Sequence, residues 1–179
     1  MIGLGRMGGN MVRRLLRGGH ECVVYDLNPT AVAELVAEGG AGSGTLDEFV
    51  ARLKPPRTAW VMVPAGDPTE GMVKALGDRM EKGDAIVDGG NTYYKDDVRR
   101  ARTLEEKGVF YVDAGTSGGV WGLERGYCLM IGGETEVVQR LAPIWQTLAP
   151  GRGNTAPSPG REGKKSTAED GWLHCGPVG

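Results

Sequence analysis

Gly3, Gly5 and Gly8 stand on the spacing G-x-G-x-x-G, and an acid, Asp26, follows eighteen residues after the last of them. Behind the glycines Met11, Val12, Leu15 and Leu16 recur at helical spacing, so the stretch reads as a strand end, a tight turn and a helix start. In such a turn the first glycine reverses the chain, the second admits a pyrophosphate to the backbone, and the third lets the helix lie close on the strand. Unpaired N–H groups at the helix start, with roughly half a unit of positive dipole charge, then face the phosphates.

Gly18 and Gly19 mark a helix C-cap, and residues 21–26 read as a second strand that ends in Asp26. A Rossmann unit places at that point the carboxylate that accepts hydrogen bonds from the adenosine ribose. Dinucleotide binding is the expectation. In a chain with 31 glycines, an ordinary glycine turn with Asp26 as a surface acid is the alternative the same residues allow.

The chain continues in alternation. Residues 29–38 read as a helix ended by the glycine cluster at 39–44, residues 46–53 as a short helical piece, and residues 58–63 as a continuous apolar strand covered on both faces. A loop at 64–67, a helix at 68–80 and a strand at 84–88 follow, and then the glycine-rich segment 89–92. Residues 94–107 carry dense charge of both signs and read as a solvated amphipathic helix. Strands are expected at 109–113 and 127–131, with a glycine-rich loop at 114–119 between them, a closing helix at 135–148, and a short last strand at 172–175. Residues 150–171, rich in Gly, Pro, Ser and Lys, read as a long loop. The predicted fold is α/β, a Rossmann-like doubly wound, mainly parallel sheet in one domain over 1–179, with six strands ending on the edge that carries the glycine loops. Met1 and Ile2 alone precede Gly3, so the first strand reads as clipped.

A net charge of −2 gives no reason to expect nucleic acid or an anionic membrane as partner, and no apolar run approaches a membrane span. A cytoplasmic location is the expectation. Cys22, Cys128 and Cys175 are widely spaced and are expected as buried free thiols; with His20 and His174 they share no metal spacing, so no metal is expected.

Five strings carry a resemblance: Gly3-Leu-Gly-Arg-Met-Gly8, Val63-Pro-Ala-Gly66, Asp88-Gly-Gly-Asn-Thr-Tyr-Tyr94, Gly115-Thr-Ser-Gly-Gly-Val-Trp-Gly122 and His174-Cys-Gly-Pro-Val-Gly179. In this order they resemble the decarboxylating 6-phosphogluconate dehydrogenase family, in its shorter, NAD-type bacterial branch. The resemblance implies that Gly3, Gly5, Arg6, Met7, Gly8, Asp26, Val63, Pro64, Ala65 and Asn91 bind the cofactor. Asn91 would lie between nicotinamide and substrate, and Ser117, Gly118 and Gly119 would hold a sugar acid phosphate. It further implies oxidative decarboxylation of 6-phosphogluconate to ribulose 5-phosphate in the pentose phosphate pathway and gluconate utilization.

NADP-using members resemble one another in an asparagine-arginine-threonine string where this chain has Asp26, Leu27 and Asn28. A carboxylate repels a 2′-phosphate, so NAD is expected over NADP. The family's catalytic lysine and glutamate fall beyond Gly179, as does the helical domain through which its members form homo-oligomers, so the chain reads as the N-terminal part of such an enzyme with no catalytic residue and no activity of its own. Lys164 and Lys165 cannot replace the base, since an exposed ammonium keeps a pKa near about 10.4. Two alternatives stay open: a stand-alone nucleotide-binding module without catalysis, and a related 3-hydroxyacid dehydrogenase. Val120, Trp121 and Gly122 with Tyr93 and Tyr94 resemble the sugar-acid branch rather than the latter.

Overall fold

The sheet is built outward from the first three residues. The N–H of Ile2 donates to the Trp60 carbonyl at 2.8 Å and the N–H of Met62 to the Ile2 carbonyl at 2.7 Å, while on the other side Tyr25 donates to Met1 and Gly3 to Tyr25, each at 3.0 Å. This computed structural model describes residues 1–154, 156, 158–160, 163 and 166–179. Beside Tyr25 lie β1 (Val23–Val24) and β2 (Ala41–Gly42), paired in parallel. Beside Met62 lie β3 (Thr58–Val61), β4 (Ala85–Asp88) and β5 (Phe110–Ser117), also parallel, then β6 (Cys128–Gly132) and β7 (Trp172–Gly176). The chain steps outward one way, recrosses the centre, and steps outward the other way. That reversal opens a crevice at the carboxyl ends of the strands, between the ends of β1 and β3.

Both faces are covered, which explains the continuous apolar strands. Trp60, Val87 and Val112 face α1 (Arg6–Arg17), α7 (Thr135–Arg140) and α8 (Ala142–Leu148), packing in one core with Met11, Val12, Leu15, Val138, Trp145 and Leu148. Ala59, Val61, Ile86 and Tyr111 face the other way, onto Phe49 of α3 (Leu46–Arg52), Val73 and Leu76 of α4 (Asp67–Gly77) and Leu104 of α5 (Tyr94–Glu105). The alternation along each strand is the two-residue period of the pleat. Trp60 and Trp145 meet edge to face, with centroids 5.3 Å apart, a contact worth about 0.5–1.5 kcal/mol beyond burial.

Helix ends obey local chemistry. Asn28 caps α2 (Pro29–Ala37) through the Thr30 N–H. Thr45 accepts from the Glu48 N–H, and Glu48 accepts in return from Gly44. α1 ends in a pair of bonds, His20 N–H to Leu15 and Gly19 N–H to Leu16, with Gly19 at φ +83; that left-handed position suits glycine. Near this end the half-buried guanidinium of Arg14 donates to the carbonyls of Thr147 (2.8 Å), Leu148 (3.0 Å), Ala149 (2.8 Å) and Leu123 (3.3 Å). It thereby caps the open end of α8 and ties it to α6 (Gly122–Arg125).

Several expectations are corrected. β6 runs antiparallel to β5 and β7 runs with β6, so the carboxyl ends of these two do not lie on the edge shared by the other strands. The ten residues between them are too few for a parallel crossover, which needs a dozen or more, and the chain turns back instead. Pairing with β6 also draws residues 114–117 into β5, so the glycine-rich loop begins only at Gly118. The cluster at 39–44 contributes β2, and the strand expected at 21–26 is regular only over β1. The single helix expected over 135–148 breaks at Leu141, because Pro143 lacks the N–H that a continuous helix would use. Cys128 and Cys175 are exposed and Cys22 half-buried, since residues 128 and 175 fall on the outward face of β6 and β7.

In the segment 150–171, a 3-10 turn at Thr167–Asp170 leads into β7, and the N–H of Gly151 donates to the Asp170 carbonyl at 2.9 Å. Lys164 and Lys165 lie outside the described residues. Trp172 is buried in the first core, whereas Leu173 is exposed beside Met130, its partner in register. No helix of the described residues is long and apolar enough to cross a membrane.

Candidate functional site

The crevice is a cleft of about 900 Å³, floored by residues 2, 3 and 5–8. Gly3, at φ +86, and Gly8 are required by the turn itself. A methyl group on Gly3 would overlap the Met62 carbonyl, and one on Gly8 the Gly3 carbonyl. Gly5 is different. It precedes α1 at φ −60, a conformation open to any residue, and a methyl group there would meet nothing within 4 Å. The fold therefore does not need glycine at position 5; the space it leaves opens into the cleft. No side chain caps this end of α1, and its first turn holds no acid. Such an uncapped helix start carries donor N–H groups and positive dipole charge toward the cleft, with exposed Arg6 beside it.

Asp26 closes one end of the cleft. Its Oδ2 accepts the N–H of Leu4 at 2.6 Å and its Oδ1 the N–H of Asn28 at 2.8 Å. Each carboxylate oxygen keeps a second lone pair for an incoming hydroxyl. Leu27, next to it, is 87% exposed and also lines the cleft.

The opposite wall comes from the ends of three further strands. Met62, Val63 and Pro64 follow β3, with Pro68 and Met72 of α4 behind them; Gly89, Gly90 and Asn91 follow β4; Gly115 and Thr116 belong to β5. Of the residues named from the sequence, Gly3, Gly5, Arg6, Met7, Gly8, Asp26, Val63, Pro64 and Asn91 are brought together here. Ala65 is not a wall residue and is exposed on the adjoining loop. Ser117, Gly118 and Gly119 lie past Thr116, outside this wall, with Ser117 and Gly119 exposed. The arrangement fits a dinucleotide in chemical terms: a donor-rich helix start for a pyrophosphate, a carboxylate for a ribose and apolar walls at both ends. Among the described residues, no group of three or more His, Cys, Asp or Glu side chains could hold a metal ion. His20 hydrogen-bonds the Thr147 hydroxyl and His174 the carbonyls of Gly133 and Gly176.

Under the Asn91 loop lies a polar cluster that the charge pattern of residues 94–107 concealed. Asp88, at the end of β4, accepts the Gly90 N–H on Oδ1 (2.9 Å) and the Thr92 hydroxyl on Oδ2 (2.9 Å). The Tyr111 hydroxyl stands 2.8 Å from Asp88 Oδ2 and 2.8 Å from Asp97 Oδ1. Arg100, 3% exposed, reaches Glu70 with Nε at 2.8 Å and places Nη1 3.5 Å from Asp88 and 3.6 Å from Asp97. Burial pushes the Asp97 carboxyl up to about 6, opposed by the Tyr111 hydrogen bond and helped by the nearby Asp88 charge. Arg99 and Arg100 hold Glu70 down to about 2. The sequence signal was available: Asp97, Arg100 and Leu104 are spaced i, i+3, i+7 and share the buried face of α5.

Residues 1–156 match the family described as the NAD binding domain of 6-phosphogluconate dehydrogenase. The NAD(+)-dependent, decarboxylating 6-phosphogluconate dehydrogenase of Haloferax volcanii is 40% identical over 151 residues, covering 84% of this chain and 50% of that protein. A solved Plasmodium falciparum 6-phosphogluconate dehydrogenase, described with NADP+ and with 6-phosphogluconate, superposes with a TM-score of 0.80 at 29% identity, over 86% of this chain and 34% of that one. A Mycobacterium tuberculosis 3-hydroxyisobutyrate dehydrogenase has the same TM-score of 0.80 at 23% identity, over 99% of this chain and 53% of that one; at that identity the likeness is one of fold. The chain spans between a third and about half of the length of the curated relatives it matches.

Proposed function

The chain belongs to the family of NAD-binding domains of 6-phosphogluconate dehydrogenase, and on that premise we propose that its cleft binds NAD in preference to NADP and presents it to 6-phosphogluconate for oxidative decarboxylation. The observation that carries this reading is Gly5: a position where the fold tolerates a side chain, left bare at an uncapped helix start that faces the cleft. The N–H groups of that helix start would hold the pyrophosphate, and Asp26 the adenosine ribose. The carboxylate and the exposed apolar Leu27 offer a 2′-phosphate one repulsion and no cation, which supports NAD as the cofactor.

The nicotinamide, when bound, supplies the hydride acceptor. This chain's residues orient it. Met62, Val63, Pro64 and Met72 offer an apolar wall that excludes water, and Asn91 offers an amide at the turn beyond β4. Ser117, Gly118 and Gly119, at the end of β5, have a hydroxyl and N–H groups suited to the oxygens of a sugar acid. Relatives named for this activity at 36–40% identity support the substrate assignment over a 3-hydroxyacid. Three free cysteines accord with a cytoplasmic location.

Calorimetric titration of the chain with NAD and with NADP tests the proposal. NAD binding more tightly is the expected result. Tighter NADP, or no binding of either, would overturn it.

A further inference from the structure

One phenol proton cannot serve two carboxylates, yet the Tyr111 oxygen is within 2.8 Å of both Asp88 and Asp97. Asp88 already accepts from Gly90 and Thr92, and Arg100 approaches it. The arrangement is satisfied when Asp97 carries a proton, donates it to the Tyr111 oxygen, and leaves the phenol proton to Asp88. Asp88, Asp97, Arg100 and Tyr111 are buried, so an unmet partner among them is costly.

We infer that Asp97 is a positioning residue: acting through Tyr111 it fixes Asp88, and Asp88 fixes the segment 89–92 that carries Asn91 into the cleft. The groups facing Asp97 are Tyr111 and Asp113 on β5, Asp88 on β4 and Arg100 on its own helix, with Glu70 of α4 behind Arg100. When Asp97 ionises, two carboxylates compete for one hydroxyl. Arg100 Nη1, nearly equidistant from both, is then drawn toward Asp97, Asp88 loses the phenol and guanidinium that fix its carboxylate, and the segment that hangs on it through Gly90 and Thr92 is held less firmly. Burial places that ionisation near pH 6, so the loop is held tighter below this pH than above it. The step from Asp97 to Gly90 rests on these hydrogen bonds and on the burial of Asp97; the step from Asn91 to a ligand rests on the proposed dinucleotide site.

Two measurements separate those steps. In the ligand-free, isotope-labelled chain, the Gly90 and Thr92 amide resonances are expected to titrate with a midpoint near pH 6, and to stay flat in Asp97→Asn, whose amide can donate to Tyr111 at any pH. In Tyr111→Phe, where the relay is cut, they should not follow Asp97. Flat wild-type resonances, or an unchanged titration in Asp97→Asn, would overturn the inference whether or not the chain binds NAD. In calorimetry, wild-type NAD affinity should fall by roughly threefold to tenfold between pH 5 and pH 8, the scale of one hydrogen bond. Asp97→Asn should hold its low-pH affinity throughout, and ADP-ribose, which lacks the nicotinamide, should show no such fall. An equal fall for ADP-ribose would mean that the cluster supports the fold in general rather than the Asn91 loop. Failure of NAD to bind with the amide titration intact would count against the proposed function alone.

Discussion

The Asp26 carboxylate accepts the N–H of Leu4 at 2.6 Å, so the acid just past β1 and the glycine turn are a single hydrogen-bonded unit. Asp26 helps shape the floor of the cleft as well as lining it. An Asp26→Asn variant must turn its NH2 toward the N–H of either Leu4 or Asn28, leaving one donor unmet at a cost of about 1–3 kcal/mol. It should lower the melting temperature together with NAD affinity, and so is a poor test of cofactor choice.

Leu27→Arg is the cleaner test. Leu27 is 87% exposed and lines the cleft, so the substitution should leave the melting temperature unchanged while giving a 2′-phosphate a guanidinium. NADP affinity should rise roughly tenfold with little change for NAD. Unchanged NADP affinity by calorimetry would remove this position from cofactor choice.

Gly5→Ala and Gly8→Ala should separate ligand space from fold space. Alanine at position 5 meets no atom of the chain, so the variant should melt with the wild type yet bind NAD at least about tenfold more weakly, since its methyl occupies the approach to the helix start. Alanine at position 8 collides with the Gly3 carbonyl and should destabilise the chain outright. Full NAD affinity in Gly5→Ala would show that the ligand does not approach there.

The acid cluster makes stability depend on pH in two opposite ways. Asp97 is raised from 3.8 to about 6 on folding, so the folded chain holds that proton more tightly, and stability falls as pH rises from about 4 to 6. Asp97→Asn should match the wild type at pH 4 and exceed it at pH 7 by about 1–3 kcal/mol in urea unfolding. Glu70, lowered from 4.5 to about 2, contributes stability above 4.5 that is lost as pH falls toward 2; at 43% exposure its contribution is small. An equal gap between Asp97→Asn and wild type at both pH values would contradict the shift.

Arg14→Lys should behave as a destructive change despite its retained charge. The guanidinium fork serves four carbonyls across α6 and α8, whereas an ammonium reaches them as a point donor. A loss of about 1–2 kcal/mol is expected, read as a lower melting temperature; no loss would show that water replaces the fork.

The floor of the cleft was legible because its cause is local: spacing of Gly3, Gly5 and Gly8, then a strand ending in Asp26. The alternation of apolar strands and helices gave the mainly parallel sheet for the same reason. What escaped was decided at a distance. β6 reverses because of a linker length, and residues 114–117 become strand only because β6 lies beside them. The burial of Asp97 and Arg100 escaped because the partners that meet them, Asp88, Tyr111 and Glu70, come from β4, β5 and α4. Residues 117–119 illustrate the complement: a resemblance singles them out, while the walls of the cleft stop at Thr116.

The bond from Gly151 to Asp170 has a practical consequence for anyone who wishes to alter this protein. It brings the two ends of an intervening span together where α8 gives way to β7, and no described residue of 150–171 lines the cleft. Closing a longer span costs only about 0.6 kcal/mol per doubling of its length. A reporter or affinity handle spliced between these two residues would therefore leave the cofactor cleft untouched, making this seam the natural place to label the molecule.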